Sequence, residues 1–218
     1  MQNLINRQVT QLGEIERRTQ LKALLGLLAA RSGQLVAAGS LESDLHISRP
    51  TVARYMSLLE EIFVIKRVPG WSRNLGARAT ATPKLLFVDS GVAARLLAVD
   101  SHALRRPGAP FGPLLEGFVI SELARQLTWL AELADLYHYR DHNKVEVDVV
   151  LENRRRQFVG IEVKASSTVG AEDFAGLRRL AEKLGDDFVV GVVLYTGSAT
   201  LPFGPRLRAL PVSAIWRL

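Results

Sequence analysis

Two neighbouring apolar segments in the second half of the chain most constrain its fold. Residues 145–151 (VEVDVVL) and 158–165 (FVGIEVKA) are rich in Val and Ile and flank a short charged connection, which predicts two β-strands joined as a hairpin. Residues 149–151 and 189–194 are apolar without alternation, as is typical of central strands covered on both faces. A sheet with helices on its faces is therefore the predicted core.

Charged side chains interrupt both strands. Because side chains alternate along a strand, Asp148 would share a face with Glu146, and Glu162 would share one with Lys164. A carboxylate in a half-buried strand is costly unless it is paired or binds a metal. Glu116, in the helical segment upstream, adds a third acid. The predicted site is three acids and one amine around a divalent cation; a cross-strand salt bridge on a solvated face is the alternative.

Composition excludes several classes of protein. Apolar residues make up 48% of the 218 residues, enough for a large core, yet no apolar run approaches the roughly 18–20 residues of a membrane span. Without cysteine the chain has no disulfide, thiol nucleophile or cysteine-based zinc site. The N-terminus has no signal-peptide pattern, and the G-x-S-x-G motif of serine hydrolases is absent. We therefore expect a cytoplasmic protein with no membrane partner.

Positive charge is concentrated in the first half of the chain. The net charge is +6, and residues 1–107 hold 15 Lys and Arg against 8 Asp and Glu. Residues 108–218 carry slightly more acidic than basic groups. This asymmetry favours a polyanion as the partner of the first half, although an Arg-rich composition alone explains it equally well.

Apolar periodicity in the first half predicts helices followed by two strands. The predicted elements are an entry helix over 4–15, a helix over 21–29, a short helix over 41–45, a helix with an apolar face of Val52, Tyr55, Met56 and Leu59, and strands over 62–68 and 84–89. Ser40 and Ser48 are expected to cap the third and fourth helices. A polar loop through Trp71 is expected to join the two strands.

This order is typical of a winged helix-turn-helix. The helix after Ser48 would present Arg49, Thr51 and Arg54 outward, and the loop between the strands would add Arg73 and Arg78. Such side chains suit a DNA major groove and its flanking phosphates. Winged helices also bind proteins, so DNA contact is one of two open interpretations.

A segment rich in proline and glycine, 98–113, separates the two halves and is the predicted linker. The expected organisation is a winged-helix domain over 1–100, a linker over 101–112 and a second domain over 113–218. The second domain has the order αβββαβ, a mixed α/β arrangement. Its predicted elements are a helix over 113–129, strands at about 135–140, 145–151 and 157–164, a helix at about 170–184, a strand at 188–195 and a short edge strand near 210–216.

This order, with an acid in the first helix, an Asp in the second strand and E-x-K in the third, resembles the PD-(D/E)XK (restriction-endonuclease-like) nuclease superfamily. The whole chain further resembles the C-terminal region, of unknown function, of a large family of prokaryotic AAA-type ATPases. The motifs that carry this likeness are 47–59 (ISRPTVARYMSLL), 83–91 (PKLLFVDSG), 114–123 (LLEGFVISEL), 146–148 (EVD) and 161–164 (IEVK).

The resemblance implies a metal-dependent nuclease acting on DNA. Asp148 and Glu162 would bind Mg²⁺ or Mn²⁺, Glu116 would complete or orient that shell, and Lys164 would hold the attacking water. No G-x-x-x-x-G-K-[ST] motif occurs in the chain, so ATP is not an expected ligand. The chain would then be a C-terminal fragment or a shortened relative of such an ATPase.

The alternative is a non-catalytic module that binds DNA or protein. In that case the nuclease-like half is a scaffold, and the partner is an ATPase domain or a second copy of the chain. The position of Glu116 separates the two: convergence with Asp148 favours the nuclease, whereas a carboxylate turned to solvent favours the scaffold.

Overall fold

The computed structural model describes residues 18–217, so the predicted entry helix over 4–15 lies outside the described residues. The first half contains α1 (Arg18–Ala30), α2 (Ala38–Leu45), α3 (Arg49–Glu61), β1 (Ile65–Val68), α4 (Leu75–Thr80), β2 (Lys84–Phe87) and α5 (Ser90–Leu96). The second half contains α6 (Phe111–Gln126), β3 (Ala134–Arg140), β4 (Glu146–Asn153), β5 (Phe158–Lys164), α7 (Ala175–Leu184), β6 (Phe188–Tyr195), β7 (Leu201–Gly204) and β8 (Leu207–Pro211). Among the helices of residues 18–217, none is both long and apolar enough to span a bilayer.

The helices of the first half follow their apolar periodicity. The predicted apolar face of α3 is confirmed, because Val52, Tyr55, Met56 and Leu59 are all buried. Ser48 occupies the N-cap position of α3, with Pro50 in the first turn, where its missing N–H costs nothing. The cap predicted for α2 is wrong: Ala37 is the N-cap residue, and the Ser40 hydroxyl donates to the Ala37 carbonyl at 2.8 Å.

Strands β1 and β2 pair antiparallel, but their connection is not the polar loop expected from the sequence. It contains α4, whose first turn is capped by Asn74, and it includes Trp71, which is buried. The Trp71 indole packs edge-on against Phe158 of β5, with ring centroids 5.2 Å apart. The Trp71 backbone N–H donates to the carbonyl of His138 in β3 at 2.7 Å. This connection therefore fastens the two-stranded sheet to the larger one.

The larger sheet is mixed and has the strand order β3-β4-β5-β6-β8-β7. Its first three strands are antiparallel, whereas β5 pairs parallel with β6 through the crossover helix α7, and β6 pairs parallel with β8. The predicted final edge strand is wrong in two respects. The strand ends at Pro211, before a 3₁₀ turn over Val212–Trp216, and β7, which the sequence analysis missed, forms the edge beyond it.

Helices cover both faces of this sheet. The adjacent residues Val149 and Val150 are both fully buried: Val150 packs in the layer of α7, and Val149 packs in the layer of α6. The prediction of a central strand covered on both faces is thus confirmed at Val149 and Val150, whereas in the second predicted run Val189 of β6 is 46% exposed. Val68 of β1 and Leu86 of β2 join the α6 layer, so the two halves of the chain share one apolar core. That shared core brings β2 next to the start of β4.

Candidate functional site

An open pocket with a volume of about 510 Å³ lies where β4 begins and β5 ends. All four site residues predicted from the sequence line it. The ionisable side chains around it are Glu116, Lys144, Glu146, Asp148, Glu162, Lys164, Glu172 and Asp173. Glu116 therefore faces the same pocket as Asp148. Convergence of these two carboxylates is the arrangement that favours the nuclease interpretation over the scaffold interpretation.

Asp148 holds the two strands together beyond the end of their regular pairing. The β4–β5 ladder ends at the pair Val149–Ile161. One residue further, the Asp148 carboxylate accepts from the backbone N–H of Val163 through Oδ2 at 3.0 Å. A side-chain oxygen thus replaces a ladder carbonyl, and the carboxylate has a fixed orientation in the pocket that Glu162 also lines.

The sequence analysis missed Lys84, the first residue of β2. Its ammonium group donates to Glu116 Oε1 at 2.6 Å and to Asp148 Oδ1 at 3.0 Å. The Lys84 side chain is only 5% exposed, which is rare for lysine unless it is paired. A usable signal was present, since Lys84 begins a strand, KLLF, that is otherwise wholly apolar.

Burial and mutual contact perturb the pKa values of this cluster. Burial alone would lower the pKa of Lys84, but the Asp148 and Glu116 carboxylates outweigh it and raise the pKa above its ordinary value. Burial, with the Asp148 charge beside it, raises the pKa of Glu116 to about 7. The same two causes raise the pKa of Glu162 to about 10. Despite burial, the Lys84 charge and its hydrogen-bond donors hold the pKa of Asp148 below its ordinary value.

Lys164 lies at the more open side of the pocket. Its Nζ is 4.0 Å from Glu162 Oε2 and 3.9 Å from Asp173 Oδ1, and its side chain is about one-third exposed. The first turn of α7 closes the pocket from above at Gly176. A Cβ added there would lie 2.2 Å from the Glu146 carbonyl oxygen, so only glycine permits this close approach.

Asp148 and Glu162 fit a divalent cation, whereas the wider set of acids fits one less well. Burial and the Asp148 charge raise the pKa of Glu162 and so favour a proton on it, and a hard cation with oxygen ligands can take that proton's place. Lys84 is bound to one oxygen of Glu116 and to one oxygen of Asp148, so its ammonium already neutralises part of the charge that a cation would meet. Within residues 18–217, no three His, Asp or Glu side chains meet in a metal-binding arrangement.

The residues predicted to contact nucleic acid differ in their exposure to solvent. Arg49 and Arg54 are exposed on α3, and Arg73 is exposed before α4. Thr51 is half-buried, and its hydroxyl shares a hydrogen bond with the Ser48 hydroxyl at 2.9 Å.

Arg78 was expected to point outward with this group but is directed toward the larger sheet. Its guanidinium pairs with Glu152 at 2.9 Å and donates to the Tyr137 hydroxyl at 3.1 Å. It also lies over the Tyr137 ring, 4.6 Å from the ring centroid. Arg78 therefore does not belong to the exposed basic group.

Comparison with known proteins divides the chain into two segments. Residues 1–103 match a domain of unknown function (DUF8612), and residues 111–215 match a second domain of unknown function (DUF4143). The second domain type is typically found with AAA ATPases.

Uncharacterised proteins of Mycobacterium tuberculosis (Rv2008c) and Mycobacterium bovis (Mb2031c) are each 27% identical over 212 residues, which is 97% of this chain. The chain spans 46% of the length of each of these relatives. No solved structure gives a significant match.

Proposed function

We propose that the pocket is the site of a divalent-cation-dependent hydrolase of nucleic-acid phosphodiesters, with DNA as the substrate. The carrying observation is the arrangement of Asp148, Glu162 and Lys164. Two of these are carboxylates on adjacent strands, and the third is an ammonium within 4.0 Å of one of them, in a pocket open enough to admit a phosphate. The sequence order around the pocket, with its resemblance to the PD-(D/E)XK nucleases, supports the same conclusion.

Each side chain has a distinct role in this proposal. Asp148 and Glu162 would hold Mg²⁺ or Mn²⁺, which prefer carboxylate and water oxygens. The bound cation would supply Lewis-acid polarisation of the phosphoryl group and acidify a bound water. Lys164 would orient the attacking water and stabilise the negative charge that develops on the phosphoryl oxygens. Asp173 lies 3.9 Å from the ammonium of Lys164, whose side chain stays about one-third exposed.

The first half would dock the DNA as a winged helix, with α2 and α3 as the helix pair and β1 and β2 as the wing strands. Arg49 and Arg54 on α3, together with Arg73, form the exposed basic surface. The excess of positive charge in residues 1–107 supports attraction of a polyanion to this half.

The test is cleavage of duplex, single-stranded and branched DNA by the purified chain with Mn²⁺ or Mg²⁺. We expect Asp148→Asn and Lys164→Met to lower cleavage at least about 100-fold, because even residues that only support a metal ligand are worth 10–100-fold. Asp187→Asn is the matched control, since Asp187 is exposed at the opposite end of the sheet. Cleavage that persists in Asp148→Asn would identify a contaminant, and its absence from the wild type would refute the proposal.

The second candidate is a non-catalytic docking module of an AAA-type ATPase. The observation in its favour is a set of large exposed apolar side chains: Phe63 is 79% exposed, Trp129 68% and Leu133 59%. Exposed apolar side chains become typical of a protein-binding surface where they form a contiguous patch. Tight DNA binding without cleavage under any cation would favour this candidate over the nuclease.

A further inference from the structure

We propose that Lys84 is a positioning residue that occupies a second cation position in the pocket and so limits the site to one divalent ion, held by Asp148 and Glu162. The inference rests on the proposed function, which supplies the role of those two acids. It adds a contribution from the first half of the chain, since β2 belongs to the segment that matches DUF8612 and the acids belong to the segment that matches DUF4143.

The ammonium of Lys84 lies where a bridging cation would lie. It contacts one oxygen from each of two carboxylates, Glu116 Oε1 at 2.6 Å and Asp148 Oδ1 at 3.0 Å. The other oxygen of Asp148 faces β5, where it accepts from Val163. Asp148 is thus shared between two sides, with a fixed cation on the first and Glu162 on the second.

Lys84 is held in this place by its backbone as well as by its charge. The strand that it begins is paired on one edge with β1, and on the other edge the backbone N–H of Leu85 donates to the Gln34 carbonyl at 2.9 Å. Its side chain is 5% exposed, so it has no route to solvent without movement of the whole strand. A long flexible side chain therefore acts here as a cation of fixed position.

The charge of Lys84 decides how many ions the pocket accepts. A divalent ion between Glu116 and Asp148 would have to share that small volume with an ammonium, and like charges at such distances repel strongly in a buried site. Removal of the ammonium would leave Glu116 and one oxygen of Asp148 free to bind a second ion. Removal of Glu116 as well would abolish that new position.

The test is a titration of the metal-free protein with Mn²⁺, followed by calorimetry and by the electron paramagnetic resonance of free Mn²⁺. We expect one ion per chain for the wild type and for Glu116→Gln. We expect Lys84→Met to bind a second ion or to bind the first at least about tenfold more tightly. The double variant Lys84→Met/Glu116→Gln should return to one ion, and Lys66→Met, which removes an exposed lysine from β1, should match the wild type.

The outcomes separate this inference from the function on which it rests. Two ions in the wild type, or a Lys84→Met protein that matches the wild type in number and affinity, would overturn the role of Lys84 and leave the nuclease proposal intact. No binding by the wild type would overturn the proposed function and this inference with it. If Lys84→Met does not fold, one ion in the wild type and in Glu116→Gln supports the inference, and two ions in either overturn it.

Discussion

The acid pocket and the basic surface of α3 differ in the burial of their charged side chains. At the pocket, the side chains of Lys84, Asp148 and Glu162 are each less than 15% exposed, and the Lys84 ammonium contacts the Asp148 carboxylate. On α3, Arg49 and Arg54 are exposed. Buried charges depend on one another for stability, whereas exposed charges contribute little to it and are free to meet a ligand.

The two regions are encoded differently in the sequence. The exposed surface of α3 can be predicted from the periodicity of this one helix. Once the buried apolar face is assigned, the remaining residues, including Arg49 and Arg54, must face outward. The pocket requires three segments far apart in the chain, with Lys84 separated from Glu116 by 32 residues and from Asp148 by 64. Mutations in the two regions should therefore divide cleanly between stability and binding.

The largest expected effect is the loss of stability in Lys84→Met. This change leaves Glu116 and Asp148 buried without their cation, and breaking a buried pair in this way typically costs about 3–5 kcal/mol of the free energy of unfolding. Urea unfolding at pH 7 measures it. Lys66→Met, on the exposed side of β1, should stay within about 0.5 kcal/mol of the wild type; equal stability of the two variants would contradict the comparison.

The second expected effect is a pH dependence that Glu162→Gln reduces. The pKa of Glu162 is raised to about 10 in the fold, against 4.5 for the free side chain, so the folded state binds the extra proton between these values. Stability from this group is complete below pH 4.5 and falls as the pH rises through that window.

Unfolding of the wild type in chelator should reveal this loss between pH 5 and pH 8, on the order of 3 kcal/mol. Glu162→Gln should reduce this loss, because the amide does not titrate; the part that remains belongs to Glu116, whose pKa is raised to about 7 and which therefore loses stability in the same pH range. The variant should also lose stabilisation by added Mn²⁺. A wild-type slope that persists undiminished in the variant would assign the titration to another group.

The third expected effect has the opposite sign and belongs to His138. Burial, reinforced by the Lys84 charge, lowers the pKa of His138 to about 4 from 6.5 for the free side chain. As the pH falls, His138 takes up a proton in the unfolded chain before it does so in the folded protein. The stability that neutral His138 contributes is therefore complete above pH 6.5 and falls as the pH drops toward 4.

His138→Gln should flatten this acid limb by about 2 kcal/mol between pH 7 and pH 4.5. Gln can still donate to the Thr82 carbonyl, which the His138 ring contacts through Nε2 at 3.1 Å. His102→Gln is the control, because His102 is exposed. Equal acid limbs in the two variants would rule His138 out as the titrating group.

The smallest expected effect on stability comes with the clearest effect on binding. Arg54→Glu should leave the free energy of unfolding within about 0.5 kcal/mol of the wild type. It should weaken duplex DNA binding on the order of tenfold at low salt, and less as salt rises. Arg95→Glu, an exposed arginine on α5, is the control; a loss of affinity in both variants alike would mean that α3 has no special place in binding.

Much of the fold was predictable because its signals are local. The apolar face of α3 and the unbroken apolar run at 149–150 each report burial within a few residues. Lys84 and Trp71 were missed because their partners, Asp148 and Phe158, lie more than 60 residues away; the apolar residues after Lys84 indicate its burial but not its partner. β7 was missed because it is only four residues long and contains Pro202.

Trp71 has a practical consequence for anyone who divides this chain in two. The predicted linker, 101–112, is the obvious place to divide the chain. A piece that starts after it would lack the Trp71 indole, which packs against Phe158. It would also lack β2, whose Lys84 is the only buried lysine among residues 18–217. Such a piece would expose the apolar surface around Phe158. It would also leave the carboxylates of Glu116 and Asp148 without the ammonium that neutralises them. Work on the second half alone should therefore carry residues 65–87 with it.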